Sequence, residues 1–250
     1  MPRFFVDPEQ ISDGTVTLTG NDAFHISRSL RMAVGEHITV CDAQGHDYEC
    51  VLSSFSDTVR AEIISVSDSV TEPPFKAILW QAIPKGEKLD SIIQKSVESG
   101  VHEINLFSSE HCIVKTDRAS EEKKSERRNR IALEAAKQCG RSIIPKVNPT
   151  RPFSEMLREA ARADLCLFCY EADGTLPLGK ILNEFAEKNN VTEKFTVSVI
   201  VGSEGGFSER EAQCAKDAGL TLTGLGTRIL RTESAAPFVL ASLVCRFELT

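Results

Sequence analysis

Two segments of the chain hold residue types that can bind a ligand and act on it. The first, residues 199–211 ("VIVGSEGGFSERE"), carries three glycines and three acids where an apolar strand gives way to a helix. Glycines there let backbone amides and carbonyls come close to a ligand. The segment fits neither GxGxxG nor GxxxxGK[ST], and Glu204 stands where a pyrophosphate would lie, so a phosphate ligand is disfavoured. A hydride-transfer enzyme using a dinucleotide is disfavoured on the same ground. A neutral or positively charged ligand suits the loop. The second segment, residues 224–238 ("GLGTRILRTESAAPF"), again follows a strand and bends at glycines, and it presents Arg228 and Arg231 around Ile229 and Leu230. The plain alternative for each loop is a tight turn with close helix packing. Together, at the carboxyl ends of strands in one sheet, they make a pocket with backbone polar groups, two arginines, and Leu225, Ile229 and Leu230 to cover an adenine-like ring.

Other chemistry has less support. The eight cysteines are irregularly spaced, which reads as reduced thiols rather than a disulfide framework. Cys166 and Cys169 lie three apart on an expected strand, facing opposite ways, and the five histidines form no HxH or HxxxH pair, so no metal site is expected. The net charge is −7, and residues 1–71 hold all of it, with 4 basic against 11 acidic side chains. Residues 115–151 instead carry 11 basic and 5 acidic, which suits either a solvated helix face or an RNA-phosphate surface. The opening MPRFFVDPEQ has no signal-peptide layout and no apolar run is long enough to span a bilayer, so a cytoplasmic protein is expected.

Positioning the two loops requires a particular frame. Thr71, Glu72, Pro73 and Pro74 form a stiff polar break that divides residues 1–71 from 75–250. Before it, short alternating segments ("HITVCD", "DYECVLSSF", "VRAEIISV") indicate a small β-barrel, interrupted by one helix over residues 22–32 with Asn21 as its N-cap. After it, apolar strands alternate with helices at residues 88–99, 119–139, 154–163, 178–188, 209–218 and 233–249. That alternation implies an α/β fold with a parallel sheet covered on both faces. Ser208 and Glu211 form a capping box at the helix that follows the first loop, and Pro237 is expected within the first turn of the last helix.

The segments "MPRFFV", "HISRSLRMAVGE", "QAIPKGEKLDSIIQKSVESGV", "RIALEAAKQCGRSIIP", "VGSEGGFSERE" and "LGTRILRTESAA" resemble, in order and over nearly the whole chain, the RsmE-type 16S ribosomal RNA (uracil-N3)-methyltransferase family. In the last motif Ser234 stands where the family commonly has threonine. The resemblance implies an S-adenosyl-L-methionine-dependent enzyme of the SPOUT superfamily. Its N-terminal domain would be a PUA-like barrel, its C-terminal α/β domain would hold a trefoil knot, and it would act as a homodimer on N3 of a uridine in 16S ribosomal RNA of the small subunit. It would use no metal. The alternatives are a SPOUT enzyme acting at another RNA position and a non-catalytic ribosome-assembly protein that binds RNA.

Carried onto this sequence, the resemblance places the cofactor among three loops: Tyr170 and Glu171; Gly202, Ser203, Glu204, Gly205 and Gly206; and Leu225, Gly226, Ile229 and Leu230. The cofactor has a sulfonium cation and no phosphate, so a nearby carboxylate is tolerable. For catalysis, Arg231 is the first candidate to stabilise charge on the uracil oxygens, Arg228 the second, and Glu233 a candidate proton acceptor. RNA contacts are expected from Arg127, Arg130, Lys137 and Arg141, spaced three, seven and four apart as one helical stripe, with Gln138 beside them and with Arg3 and Arg28 from the barrel.

Overall fold

The computed structural model describes residues 1–112, 118–189, 191 and 194–249. Its contacts group into two compact units, Met1–Glu72 with Ala136–Ile144, and Pro73–Ala135 with Pro145–Thr250. The first division between the units falls between Glu72 and Pro73, and the nine residues Ala136–Ile144 group with the first unit.

The first unit is a six-stranded sheet of β1 (Arg3–Phe5), β2 (Ile11–Ser12), β3 (Thr15–Leu18), β4 (His37–Cys41), β5 (His46–Phe55) and β6 (Val59–Asp68), in the order β1-β4-β5-β6-β3-β2. Strand β1 is parallel to β4 and every other pairing is antiparallel. Alternation turns Val16, Leu18, Ile38, Val40, Leu52 and Ala61 inward onto one core. The helix expected over 22–32 is α1 (Gly20–Phe24), N-capped by Thr19 rather than Asn21, and continues as a π-helical turn over His25–Ser29. There the Leu30 N–H donates to the His25 carbonyl at 2.9 Å, five residues back, and Ile26 is fully buried. An α-helical period therefore misplaces the end of this segment.

The second unit contains a seven-stranded, wholly parallel sheet flanked by helices. In chain order its elements are β7 (Lys76–Ala82), α2 (Lys88–Glu98), β8 (Val101–Ser108), α3 (Arg118–Cys139), β9 (Lys146–Pro152), α4 (Phe153–Ala160), β10 (Leu165–Cys169), β11 (Leu176–Pro177), α5 (Leu178–Lys188), β12 (Thr196–Val201), α6 (Glu209–Asp217), β13 (Thr221–Gly224) and α7 (Thr232–Phe247). The strand order is β11-β13-β10-β12-β7-β8-β9, all parallel. Five consecutive buried residues in β12 and four in β7 are what a strand covered on both faces requires. Helix α2 buries Leu89, Ile92, Ile93, Ser96 and Val97, one apolar stripe with a helical period.

Two details depart from expectation. Strand β9 carries Pro149 and Pro152, which argue against a ladder; the structure accommodates them at the edge of the sheet, where a missing amide donor is harmless. Pro237 is the sixth residue of α7, beyond the first turn, so the Glu233 carbonyl four residues back receives no helical donor.

Candidate active site

Strand order brings the carboxyl ends of β13, β10 and β12 side by side, and the segments leaving them enclose a cavity of about 150 Å³. The two glycine loops flank β10 rather than neighbouring each other, so the segment after β10 lies between them. There the Tyr170 N–H donates to the Thr223 carbonyl at 3.0 Å, tying the β10 exit to β13.

The loop after β12 is fixed by its sequence. The Gly206 N–H donates to the Ser203 carbonyl at 3.0 Å, closing a tight turn in which Gly206 takes φ 63°, a left-handed conformation open to glycine. A Cβ on Gly202 would stand 3.2 Å from the Gly206 backbone and from the Phe207 ring. Phe207, the next residue, is buried between Phe168 (ring centroids 4.2 Å apart) and Phe107 (6.2 Å). Burying such a ring contributes about 1.5–3 kcal/mol, so the loop is anchored by its last residue. The capping box follows: Ser208 Oγ accepts from the Glu211 N–H at 3.2 Å, and Glu211 Oε2 accepts from the Ser208 N–H at 3.0 Å. Glu211 Oε1 also accepts from the Glu110 N–H at 2.9 Å, so its buried carboxylate holds two segments.

Of the expected cofactor residues, Tyr170, Glu171, Gly202, Ser203, Gly206, Leu225, Gly226, Ile229 and Leu230 line this cavity. Ile229 does so with its side chain largely in solvent, at 82% exposure. Glu204 and Gly205 stand in the turn but do not line the cavity. Glu204 accepts from the Lys85 N–H at 3.1 Å and pairs with Lys88 Nζ at 3.0 Å, and the Gly205 carbonyl meets His111 Nδ1 at 2.7 Å. Partial burial alone would raise the Glu204 pKa; the hydrogen bonds from Lys88, the Lys85 amide and its own amide, with the Lys88 charge, outweigh that and hold it below the usual carboxylate value. The carboxylate in the cavity wall is Glu171, whose Oε1 would lie 3.0 Å from a Cβ on Gly206.

Lys88 and Gln81 lie within the segment "QAIPKGEKLDSIIQKSVESGV", but nothing in its pattern assigns either a role. Lys88 Nζ also lies 3.5 Å from Glu233 Oε2, so one ammonium joins the β12 loop to the first turn of α7. Gln81, fully buried on β7, donates to Thr232 Oγ1 and to the Gly202 carbonyl. Their partners lie 116 to 151 positions away, beyond what spacing can reveal. Glu233, a candidate proton acceptor, is therefore held by Lys88. Arg228 lines the cavity, Arg231 is the N-cap of α7 flanked in sequence by the lining residues Leu230 and Thr232, and neither arginine's side chain has an ion-pair or hydrogen-bond partner among the described residues.

The basic stripe is largely consumed internally. Arg141 is buried against Glu72, Lys137 Nζ pairs with Asp22 at 3.0 Å, Arg127 pairs with Asp90, and Arg3 Nη1 pairs with Asp47 at 2.8 Å. A guanidinium sealed against a carboxylate does not face a phosphate, which removes Arg141 from the RNA contacts and blunts Lys137, Arg127 and Arg3. Arg28, Arg130 and Gln138 are exposed with no partner of this kind among the described residues. No cluster of His, Cys, Asp or Glu among the described residues is arranged to hold a metal.

Comparison with known proteins agrees with this geometry. Residues 71–244 match the RNA methyltransferase domain and residues 18–66 the RNA methyltransferase PUA domain. The parallel sheet and its three-loop cavity thus define an RNA methyltransferase fold. The chain is 33% identical to the ribosomal RNA small subunit methyltransferase E of Bacillus subtilis, over 100% of its own length and 98% of the relative's. It is 31% identical to the Mesomycoplasma hyopneumoniae protein of the same name, over 98% and 99%. The Neisseria gonorrhoeae ribosomal RNA small subunit methyltransferase E, solved bound to S-adenosyl methionine, superposes with a TM-score of 0.82 at 32% identity, over 98% and 97% of the two chains. The chain belongs to the ribosomal RNA small subunit methyltransferase E family.

Proposed function

We propose that this protein transfers a methyl group from S-adenosyl-L-methionine to N3 of a uridine in 16S ribosomal RNA of the small subunit. The observation that carries the reading is the cavity at the ends of β13, β10 and β12, with no phosphate-binding pattern and with the Glu171 carboxylate in its wall. The residues fit the cofactor. Ser203 Oγ is buried in the cavity wall without a hydrogen-bond partner among the described residues, a donor and acceptor for a ligand's polar edge. Backbone groups of Gly202 and Gly226 stand at the same wall, Leu225 and Leu230 supply apolar surface for a ring, and Glu171 tolerates a cation. When bound, the cofactor supplies an electrophilic methyl group.

The remaining work falls to the chain. Uracil N3 attacks in line while its proton leaves, and negative charge grows on O2 and O4. Arg231, without a competing carboxylate among the described residues, is the group to stabilise that charge, with Arg228 as the second. Glu233 is the proton acceptor closest to Arg231 in sequence, and Lys88 fixes its position. Arg28, Arg130 and Gln138 would contact RNA. Replacing Arg130 by alanine is expected to weaken RNA binding evenly across sequences and to reduce the slope of log affinity against log salt by about 1; an unchanged slope in filter binding would remove Arg130 from that surface.

Gly202→Ala is expected to distort the turn through its Cβ, at about 1–3 kcal/mol, and so to weaken cofactor binding roughly tenfold or more by calorimetry. The reading as a whole is tested by mass spectrometry of nucleosides in small-subunit RNA from cells lacking the protein. Loss of 3-methyluridine is expected, and an undiminished level would overturn it. The proposal includes a homodimer, supported by Phe238, 43% exposed on α7, as an apolar position for a second copy to cover, and checked by sedimentation. It also includes the family's trefoil knot and a cytoplasmic setting. Among the described residues no helix is long and apolar enough to cross a membrane.

A further inference from the structure

Gln81 is a polar side chain in a place that asks for an apolar one. It is fully buried near the end of β7, a strand lying between β12 and β8, with Leu79, Trp80 and Ala82 beside it in sequence. A carboxamide buried there is costly unless its groups are satisfied. Its Nε2 faces three acceptors, the Ala82 carbonyl at 2.9 Å, Thr232 Oγ1 at 3.0 Å and the Gly202 carbonyl at 3.3 Å. Thr232 Oγ1 in turn donates to the Gly202 carbonyl at 2.7 Å, so the three groups form a closed triangle. The Gln81 Oε1, also buried, has no partner among the described residues. An apolar side chain of similar shape would bury no such acceptor at this position.

The triangle joins two parts of the active site. Gly202 opens the β12 loop and lines the cavity; Thr232 lines it too and is the first residue of α7. Arg231 directly precedes it as N-cap, and its carbonyl accepts from the N–H groups of Ser234 and Ala235 at 2.8 and 3.0 Å. Holding Thr232 against Gly202 therefore sets where the Arg231 backbone stands relative to the bound cofactor.

We infer that Gln81 is a positioning residue for methyl transfer, acting through Thr232 to register Arg231 against the cofactor loop. The inference rests on the methyltransferase reading above. It is tested on the full chain with Gln81→Met, Thr232→Val, their double variant and Thr232→Ser, by single-turnover methyl transfer to ribosomal RNA, cofactor calorimetry and thermal melting.

Gln81→Met and Thr232→Val are each expected to lower the transfer rate roughly 10- to 100-fold, the scale of a misplacement of about 1 Å, with cofactor affinity changed less than about threefold. The double variant should be no slower than the worse single one, because both break the same triangle. Thr232→Ser, which keeps the hydroxyl, should stay near the unaltered rate. Gln81→Glu should be slow at neutral pH and recover as pH falls, when a protonated carboxyl regains one donor; the unaltered chain should not.

Undiminished transfer by Gln81→Met, additive losses in the double variant, or a Thr232→Ser defect equal to that of Thr232→Val would overturn the inference. If Gln81→Met does not fold, the Thr232 pair decides. Absence of transfer by the unaltered chain would instead overturn the reading of function on which the inference rests.

Discussion

Arg231→Ala is expected to slow methyl transfer by about 10²–10³-fold at saturating cofactor, the loss typical of one well-placed charge-stabilising donor. Cofactor affinity and thermal stability should stay close to those of the unaltered chain. The separation follows from surroundings. Arg231 is exposed and makes no ion pair or side-chain hydrogen bond among the described residues, and the N-cap role it fills uses its backbone alone. Its removal therefore strands no partner. Arg228 lines the cavity itself, so Arg228→Ala should weaken cofactor binding more and the transfer step less. Single-turnover assays beside calorimetry distinguish the two. An Arg231→Ala protein with an unchanged transfer rate would return that arginine to a structural or phosphate-anchoring role and pass the charge-stabilising role to Arg228.

Glu72→Ala is expected to lower stability by about 3–5 kcal/mol, because removing one member of a buried pair leaves the other's charge in an apolar setting. Glu72 accepts from Arg141 Nε at 3.2 Å and pairs with its Nη2, and it takes the N–H groups of Ser142 and Ile143 at 3.0 and 3.1 Å. The Arg141 side chain is only 4% exposed. Burial pushes the Glu72 pKa up, but the hydrogen bond and charge of Arg141, with the two amides, outweigh it and hold the value below 4.5. A pKa depressed in the folded state means that this stabilisation is fully present above the unfolded value near 4.5 and is lost as pH falls through the folded value. Denaturant unfolding should thus show the unaltered protein ahead of Glu72→Gln at pH 7, with the gap closing toward pH 3. A gap independent of pH would mean that the carboxylate charge contributes nothing there.

The same pair shows where sequence reasoning ends. Alternating apolar strands and helices made the parallel sheet legible, and the glycines, Phe207 and the Ser208–Glu211 capping box marked the β12 loop and its helix start, because each is a local cause acting within a few residues. Both cavity loops could be read for the same reason. The basic run was legible as charge but not as role. Asp90, Glu72, Asp22 and Asp47, which neutralise Arg127, Arg141, Lys137 and Arg3, lie 37 to 115 positions from their partners. The roles of Gln81 and Lys88, though both stand in a recognisable segment, are illegible for that reason as well. A lone glutamine in a strand and a lysine opening a helix look ordinary until the fold sets Gly202, Thr232 and Glu233 beside them.

The return of Ala136–Ile144 to the first unit bears on how this protein can be divided. A fragment ending at Glu72 would take the carboxylate and leave its donors on Arg141, Ser142 and Ile143 behind. Exchanging or expressing the N-terminal module alone therefore calls for a grafted copy of that nine-residue segment, and a cut at the proline pair should give a destabilised module.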